Sequence, residues 1–192
     1  MFITIQKDNI IRRIEAFADT HGRHREYQYD CRAADILVCA GDVCDMGNEA
    51  QLRDFFVWFA AQPAKHKLFV PGNHDLPFDL DPEFAMQYYI LDGVTCIESG
   101  GVTLGDVHFH VLPARPWMHH PLHLPQNVDV LVTHGAPSHI LNDDGRWGCP
   151  ILLNLVYKAQ PKIHIFGHCH QNGQQKEVLG KTWFYNVAVN NF

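Results

Sequence analysis

Five short apolar runs, each closing on a small polar cluster, constrain this chain more than any other feature. The runs are Ile14-Glu15-Ala16-Phe17-Ala18, Ile36-Leu37-Val38-Cys39-Ala40, Lys67-Leu68-Phe69-Val70, Val128-Asp129-Val130-Leu131-Val132 and Lys162-Ile163-His164-Ile165-Phe166. They are rich in β-branched or aromatic residues and end at Gly, Pro or Asp, the pattern of strands buried on both faces. Their endings are Asp19-Thr20-His21-Gly22, Gly41-Asp42, Gly72-Asn73-His74-Asp75, Thr133-His134-Gly135 and Gly167-His168-Cys169-His170. Open α/β sheets place ligands at the carboxyl ends of their strands, so the five endings are expected to converge on one edge.

Helical spacing fills the intervals. From Asn48 to Gln62, Leu52, Phe55, Phe56, Phe59 and Ala60 fall on one face, with Pro63 just past the end. Pro150 to Gln160 repeats the pattern through Ile151, Leu152, Leu155 and Val156, and Pro82 to Leu91 is a third candidate. Gly101 to Leu112 and Glu177 to Val189 alternate like antiparallel strands, with Gly100-Gly101, Gly105-Asp106 and Gly180-Lys181 as turns. Together these predict an α/β fold of two packed mixed β-sheets flanked by helices.

No linker-like stretch divides the chain, so one domain over residues 1–192 is expected, with roughly 70% of its unfolded surface buried. A net charge of −6 disfavours long nucleic acids held by many phosphate contacts. No apolar run approaches the ~20 residues of a membrane helix, and Met1-Phe2-Ile3-Thr4 does not open like a signal peptide. The expectation is a cytoplasmic protein without a membrane partner. Cys31, Cys39, Cys44, Cys96, Cys149 and Cys169 form no CxxC pair and read as reduced thiols.

Histidine is in excess, at 14 of 192 residues, and several stand in the five endings. Carboxylate, imidazole and amide groups form a mixed O/N donor set suited to Mn, Fe, Zn, Co or Ni, without thiolate. The set outnumbers the roughly four ligands of one tetrahedral zinc, which implies two divalent ions.

The order D-x-H, G-D, G-N-H-D, H, G-H-x-H resembles the calcineurin-like metallophosphoesterases, from Asp19 to His170. That resemblance implies a four-layer α-β-β-α sandwich. It assigns Asp19, His21 and His170 to one metal, Asn73, His134 and His168 to the other, and Asp42 as the bridge. His74 becomes a general acid toward the leaving group, with Asp75 orienting its imidazole. A metal-bridging hydroxide would attack phosphorus directly. Gly148-Cys149, Leu152-Leu153, Pro161 and Thr133-His134-Gly135-Ala136-Pro137 are most similar to the metallophosphoesterase-domain-containing subgroup. This implies phosphodiesterase activity on small, including cyclic, nucleotides, with Mn the usual metal.

Two departures bear on substrate. The stretch Pro113 to Pro125, with Trp117, His119, His120 and His123, is shorter than the subgroup's aromatic-rich insert. Asp42 is followed by Val43-Cys44-Asp45-Met46, without the Arg of the Ser/Thr phosphatases, which disfavours protein dephosphorylation. Arg23, His24, His119 and His120 are candidate substrate contacts, because they fall in loops beside site-forming segments. Asn142, Asp143, Asp144 and Arg146 form either a substrate wall or a solvated loop. Asp45 reads as a turn residue before the helix, Cys169 as a structural thiol, and His108, His110 and His164 as structural histidines. A phosphomonoesterase of the same fold and a non-catalytic scaffold are the rival functions, and no H-E-x-x-H helix suggests peptide hydrolysis.

Overall fold

Alternation along each strand decides what it packs against. In β3 (Ile36–Cys39), Ile36 and Val38 enter one apolar cluster while Leu37 and Cys39 enter another on the opposite face. Both faces are buried, as the unbroken apolar run requires. The computed structural model that shows this describes residues 1–26 and 33–189.

The first sheet runs in sequence order: β1 (Phe2–Lys7), β2 (Ile10–Phe17), β3, β4 (His66–Phe69) and β5 (Val94–Cys96). β1 is antiparallel to β2 and the other pairings are parallel. The second sheet has the order β10 (Gln175–Leu179), β11 (Thr182–Asn186), β9 (Ile163–Phe166), β8 (Val130–Val132), β7 (Val107–Val111) and β6 (Gly100–Leu104). Its three central pairings are parallel and its two outer ones antiparallel. Ile14, Val38 and Leu68 of the first sheet meet Phe109, Val130, Val132 and Ile165 of the second in the middle core.

Helices cover the outer faces. In α1 (Glu49–Ala60), the Asn48 side chain accepts from the Ala50 and Gln51 N–H groups, satisfying two otherwise orphaned donors. Its buried Leu52, Phe55, Phe56 and Phe59 pack on Phe17 and Phe69. Burial of four such side chains contributes on the order of 1.5–3 kcal/mol each before entropy is counted. The short α2 (Pro77–Leu80) and α3 (Pro82–Tyr89) join that layer through Phe78, Ala85 and Tyr89. On the other side, α4 (Pro150–Ala159) sets Leu152 and Val156 against Leu131, Phe166 and Phe184. The result is the expected α-β-β-α layering.

Three elements differ from the sequence expectation. The first strand pairs with an N-terminal partner through a turn at Asp8-Asn9, both in left-handed backbone at φ 47° and 67°. The Phe2-Ile3-Thr4-Ile5 alternation is too brief to single out in the sequence. Gly100-Gly101 opens β6 instead of turning the chain. In the tail, β11 pairs antiparallel with β10 but also adds parallel to β9. Cys39, Cys44, Cys96, Cys149 and Cys169 are free thiols, and Cys31 lies outside the described residues. Among the described residues no helix is long and apolar enough to cross a membrane.

Candidate metal centre

The five strand endings meet at one edge, and their backbone is bent to make them meet. Asp19, His21, Asp42 and His168 all take left-handed backbone, at φ 61°, 43°, 55° and 65°. Such conformations are uncommon for side-chain-bearing residues and cluster at functional sites. The loops also nest closely. A Cβ on Gly72 would overlap the Asp42 carboxylate, and one on Gly167 would overlap that of Asp19. Glycine is needed at both positions for the approach alone.

Potential ligand atoms gather in three trios, each with its atoms within 4.8 Å of one another: Asp19, His21 and His170; Asp42, His134 and His168; His21, Asp45 and His74. The first is the set that the family resemblance gives to one metal, and the second joins His134 and His168 of the other set to Asp42, the implied bridge. Four lone-pair-bearing atoms here are buried without a hydrogen-bond partner: His21 Nε2, Asn73 Oδ1, His134 Nε2 and His168 Nε2. Buried polar atoms are rarely left unpaired, because each costs about 1–3 kcal/mol. Four of them, from four strand endings beside two buried carboxylates, fit a donor set for divalent cations.

Hydrogen bonds preset these donors. His134 Nδ1 donates to the Ala40 carbonyl at 2.8 Å, which turns Nε2 toward the Asp42 carboxylate 3.3 Å away. Burial works against the His134 charge, but Asp42 outweighs it and raises the imidazole to about 9, so in the metal-free chain Nε2 holds a proton that a bound cation would displace. Burial likewise opposes the Asp42 carboxylate, and His134 more than compensates, holding it well below the usual range. His168 is pushed down to about 4, by burial and then by the His134 charge, so its ring is neutral. Asp19 accepts from the His168 backbone N–H at 2.9 Å and lies 3.2 Å from His170 Nε2.

Four sequence expectations change, three at the centre and one beyond it. Asp75 does not orient the His74 ring. Its carboxylate turns inward and accepts from the backbone N–H groups of Gly72, Asp42 and Val43 at 2.9, 2.8 and 3.0 Å. It is a staple between two site loops, and burial together with the Asp42 charge raises it to about 6. The His74 ring instead accepts at Nδ1 from the Met46 N–H at 3.5 Å and lies 4.8 Å from the His21 ring. Asp45 is more than a turn residue: Oδ1 lies 3.1 Å from His21 Nδ1, and Oδ2 accepts from Gln51 at 3.1 Å. It holds the His21 ring with Nε2 free. His24 is fully buried beneath α1, its ring 5.4 Å from Phe55 and 5.1 Å from Trp58 and its Nε2 3.1 Å from Asp54. The turn after Gly22 carries it under the helix, away from the metal-centre cavity.

That cavity, of about 520 Å³, is lined by His21, Asp42, His74, His168 and His170, together with Arg23, Asp143, Arg146 and Trp147. The loop after β8 is thus a wall, as to Asp143 and Arg146; Asn142 and Asp144 line a different cavity. A reciprocal pair fixes it, with Asp143 N–H donating to Asn172 Oδ1 at 2.7 Å and Asn172 N–H to Asp143 Oδ1 at 3.1 Å. Trp147, missed by sequence reasoning, packs its ring 4.8 Å from that of His168. An aromatic beside Arg in a glycine-bounded loop was the available signal. His119 and His120 lie elsewhere, on a cavity of about 150 Å³ with Pro113, Trp117, Met118 and Leu122.

A layered sandwich whose parallel strands end in open imidazole, amide and carboxylate donors is the architecture of a metal-dependent phosphoesterase. Residues 12–172 match the calcineurin-like phosphoesterase family, and the chain belongs to it. It is 32% identical over 205 residues to the Caenorhabditis elegans UPF0046 protein K07C11.7, a match that takes in 92% of this chain and 69% of the relative. It is 28% identical over 217 residues to human metallophosphoesterase domain-containing protein 1, covering 92% and 66%. The chain thus spans about two thirds of these curated relatives. The fold is shared with the Thermus thermophilus protein TT1561, at a TM-score of 0.63 and 13% identity over 92% of this chain and 90% of that one. Family membership makes the chain a phosphoesterase that works with divalent metal.

Proposed function

We propose that the chain hydrolyses phosphodiesters of small substrates, nucleotides and cyclic nucleotides among them, with two divalent ions. Asp19, His21 and His170 would hold one, Asn73, His134 and His168 the other, and Asp42 would serve both. The carrying observation is the convergence of three buried, unpartnered imidazole nitrogens on two carboxylates, with the Asn73 Oδ1 a fourth buried atom left without a partner. Two such ions supply Lewis acidity toward the phosphoryl oxygens and a water made acidic enough to attack at neutral pH. Mn is the metal that the subgroup resemblance favours, with Fe, Zn, Ni or Co as the others this donor set suits.

The remaining chemistry belongs to the chain's own side chains. Because the Met46 N–H is directed at Nδ1 of His74, the neutral ring carries its proton on Nε2. His74 lines the cavity, so this N–H can donate a hydrogen bond to the departing oxygen and offset its developing charge. Arg23 and Arg146 bring cationic groups to the same cavity and offset charge on the non-bridging oxygens. Those two cations are also what a dianionic monoester would use, which keeps the phosphomonoesterase reading in play.

Metal-stripped protein, assayed with and without added Mn on bis(p-nitrophenyl) phosphate and p-nitrophenyl phosphate, separates these readings. We expect faster metal-dependent cleavage of the diester, lost in Asp42→Ala. Faster cleavage of the monoester would install the monoesterase reading. No cleavage of either ester with any divalent metal would sink the proposal.

A further inference from the structure

A row of aromatic rings leads away from the metal centre, and the activity described so far makes no use of it. The Trp147 ring packs edge-on against His168, with centroids 4.8 Å apart and planes at 80°. Trp117 follows, 5.4 Å from Trp147 and tilted by 38°. Trp147 lines the metal-centre cavity, while Trp117 lines the neighbouring 150 Å³ cavity with Pro113, Met118, His119, His120 and Leu122. The packed pair therefore links the two spaces, with one indole lining each.

We propose that Trp147 and Trp117, with the cavity beside the 113–122 segment, form a subsite for the planar, aromatic, non-reacting group of a phosphodiester, such as a nucleobase. This rests on the phosphodiesterase reading above and says where the part of the substrate that does not react is held.

The support around the indoles is that of a built surface. Arg115 pairs with Asp79 of α2 and, through its second nitrogen, with Glu98 at 3.1 Å. Ala114 accepts from the Gly135 N–H at 2.8 Å, next to His134. Met118 N–H reaches the Cys149 sulfur at 3.4 Å, at the start of α4. Trp117 is thus flanked by anchored residues and yet keeps 45% of its surface exposed. Trp147 N–H donates to the Asn142 carbonyl at 3.1 Å, while its own carbonyl accepts from the Asn142 side chain. The backbone carrying both rings is anchored and neither ring is fully covered, which lowers the ordering cost of stacking a flat ligand on them.

The cavity's chemistry points the same way. Its lining is mainly apolar, with two exposed imidazoles at its margin. An aromatic heterocycle offers both a π-face for the indoles and ring nitrogens for the imidazoles. A flexible alkyl group could fill the space but would use neither. Arg146, next to Trp147 in sequence, lines the metal-centre cavity and adds a cation on the side where the phosphate would sit.

The test uses esters that share a reacting centre and leaving group and differ only in the group held. Thymidine 5′-(p-nitrophenyl) phosphate, methyl p-nitrophenyl phosphate and hexyl p-nitrophenyl phosphate all release p-nitrophenolate. With Mn present, the wild type is expected to favour the thymidine ester over the methyl ester by about tenfold in kcat/KM, expressed in KM, as one base–aromatic stack allows. Trp117→Leu should shrink that ratio to within about threefold, and Trp117→Phe, which restores a ring, should keep most of it. Equal ratios in wild type and Trp117→Leu, or a hexyl ester favoured as strongly as the thymidine ester, would overturn the subsite while leaving the diesterase intact. Failure to cleave any of the three esters would overturn both.

Discussion

The two ends of one strand, β8, use buried carboxylates in opposite ways. Before it, Asp129 accepts from Lys7 at 2.7 Å, Lys162 at 2.8 Å and the His108 N–H at 3.0 Å. Burial disfavours that charge, but the two lysines outweigh it and hold the carboxyl down at about 2. After the strand comes His134, whose Nε2 has no hydrogen bond and faces Asp42. The first cluster is closed: every strong group has a partner within the chain, and its return is stability. The second is open, because it presents buried imidazole and amide atoms that no hydrogen bond in the chain satisfies. Polar burial alone does not mark a site; unsatisfied polar burial that converges does.

Three measurements can break or sharpen that contrast. The largest effect is expected at the open end. Mn at a hundredfold excess over its dissociation constant should stabilise the metal-stripped protein by about 2.7 kcal/mol, seen as a raised thermal midpoint. Asp42→Ala should abolish the rise. A midpoint indifferent to every divalent metal would mean that the open end is only strained.

Next comes the closed end. Asp129→Ala removes three accepted hydrogen bonds and should cost about 2 kcal/mol by urea denaturation. Fully buried pairs lose more, but Lys162 is largely solvated and softens the loss. Turnover per folded molecule should not change. A variant that kept its stability but lost turnover would dissolve the contrast.

The effect that is smallest near neutral pH, and grows only as acid is added, tests an orphan atom outside both clusters. His164 Nε2 bonds Thr133 Oγ1 at 2.9 Å, whose own hydroxyl donates to the Gly135 carbonyl at 2.7 Å, and Nδ1 is left unpaired in an apolar setting. Burial lowers this ring from 6.5 to about 3. The unfolded chain therefore takes up a proton below pH 6.5 that the folded chain refuses. Stability should fall through that window as acid is added, by up to roughly 1.4 kcal/mol per pH unit. In His164→Gln the plot of urea midpoint against pH between about 6 and 4 should be flatter. An unchanged slope would show that the native ring protonates freely.

The candidate site was legible in the sequence because each candidate donor follows its strand directly. Asp19, Asp42, Asn73, His134 and His168 inherit their position from strand direction, which a run of β-branched residues already declares. Side-chain direction within a loop is another matter. His24 and Asp75 carry the right chemistry at the right spacing, yet both turn inward, one beneath Phe55 and Trp58 and the other onto three backbone N–H groups. Nothing local distinguishes them from His21 and His74; the packing of α1 and the nesting of the two glycine loops decide. The fold followed the same division. Buried strands and the Asn48-capped helix were readable, whereas β1 and the three-residue β5 depend on partners far along the chain.

The left-handed backbone at Asp19, His21, Asp42 and His168 bears on how such a chain would decay once hydrolysis was no longer selected. Each of these positions demands a conformation that glycine takes freely and a histidine takes at a cost of order 1 kcal/mol. Replacement by glycine would relieve that cost and remove a ligand in one step. Drift would then run with folding stability, since marginal proteins accept most readily what steadies them. A copy freed from its reaction would shed its metal centre before it lost its shape. Its descendants would be sturdy, silent domains, recognisable by their sheets alone.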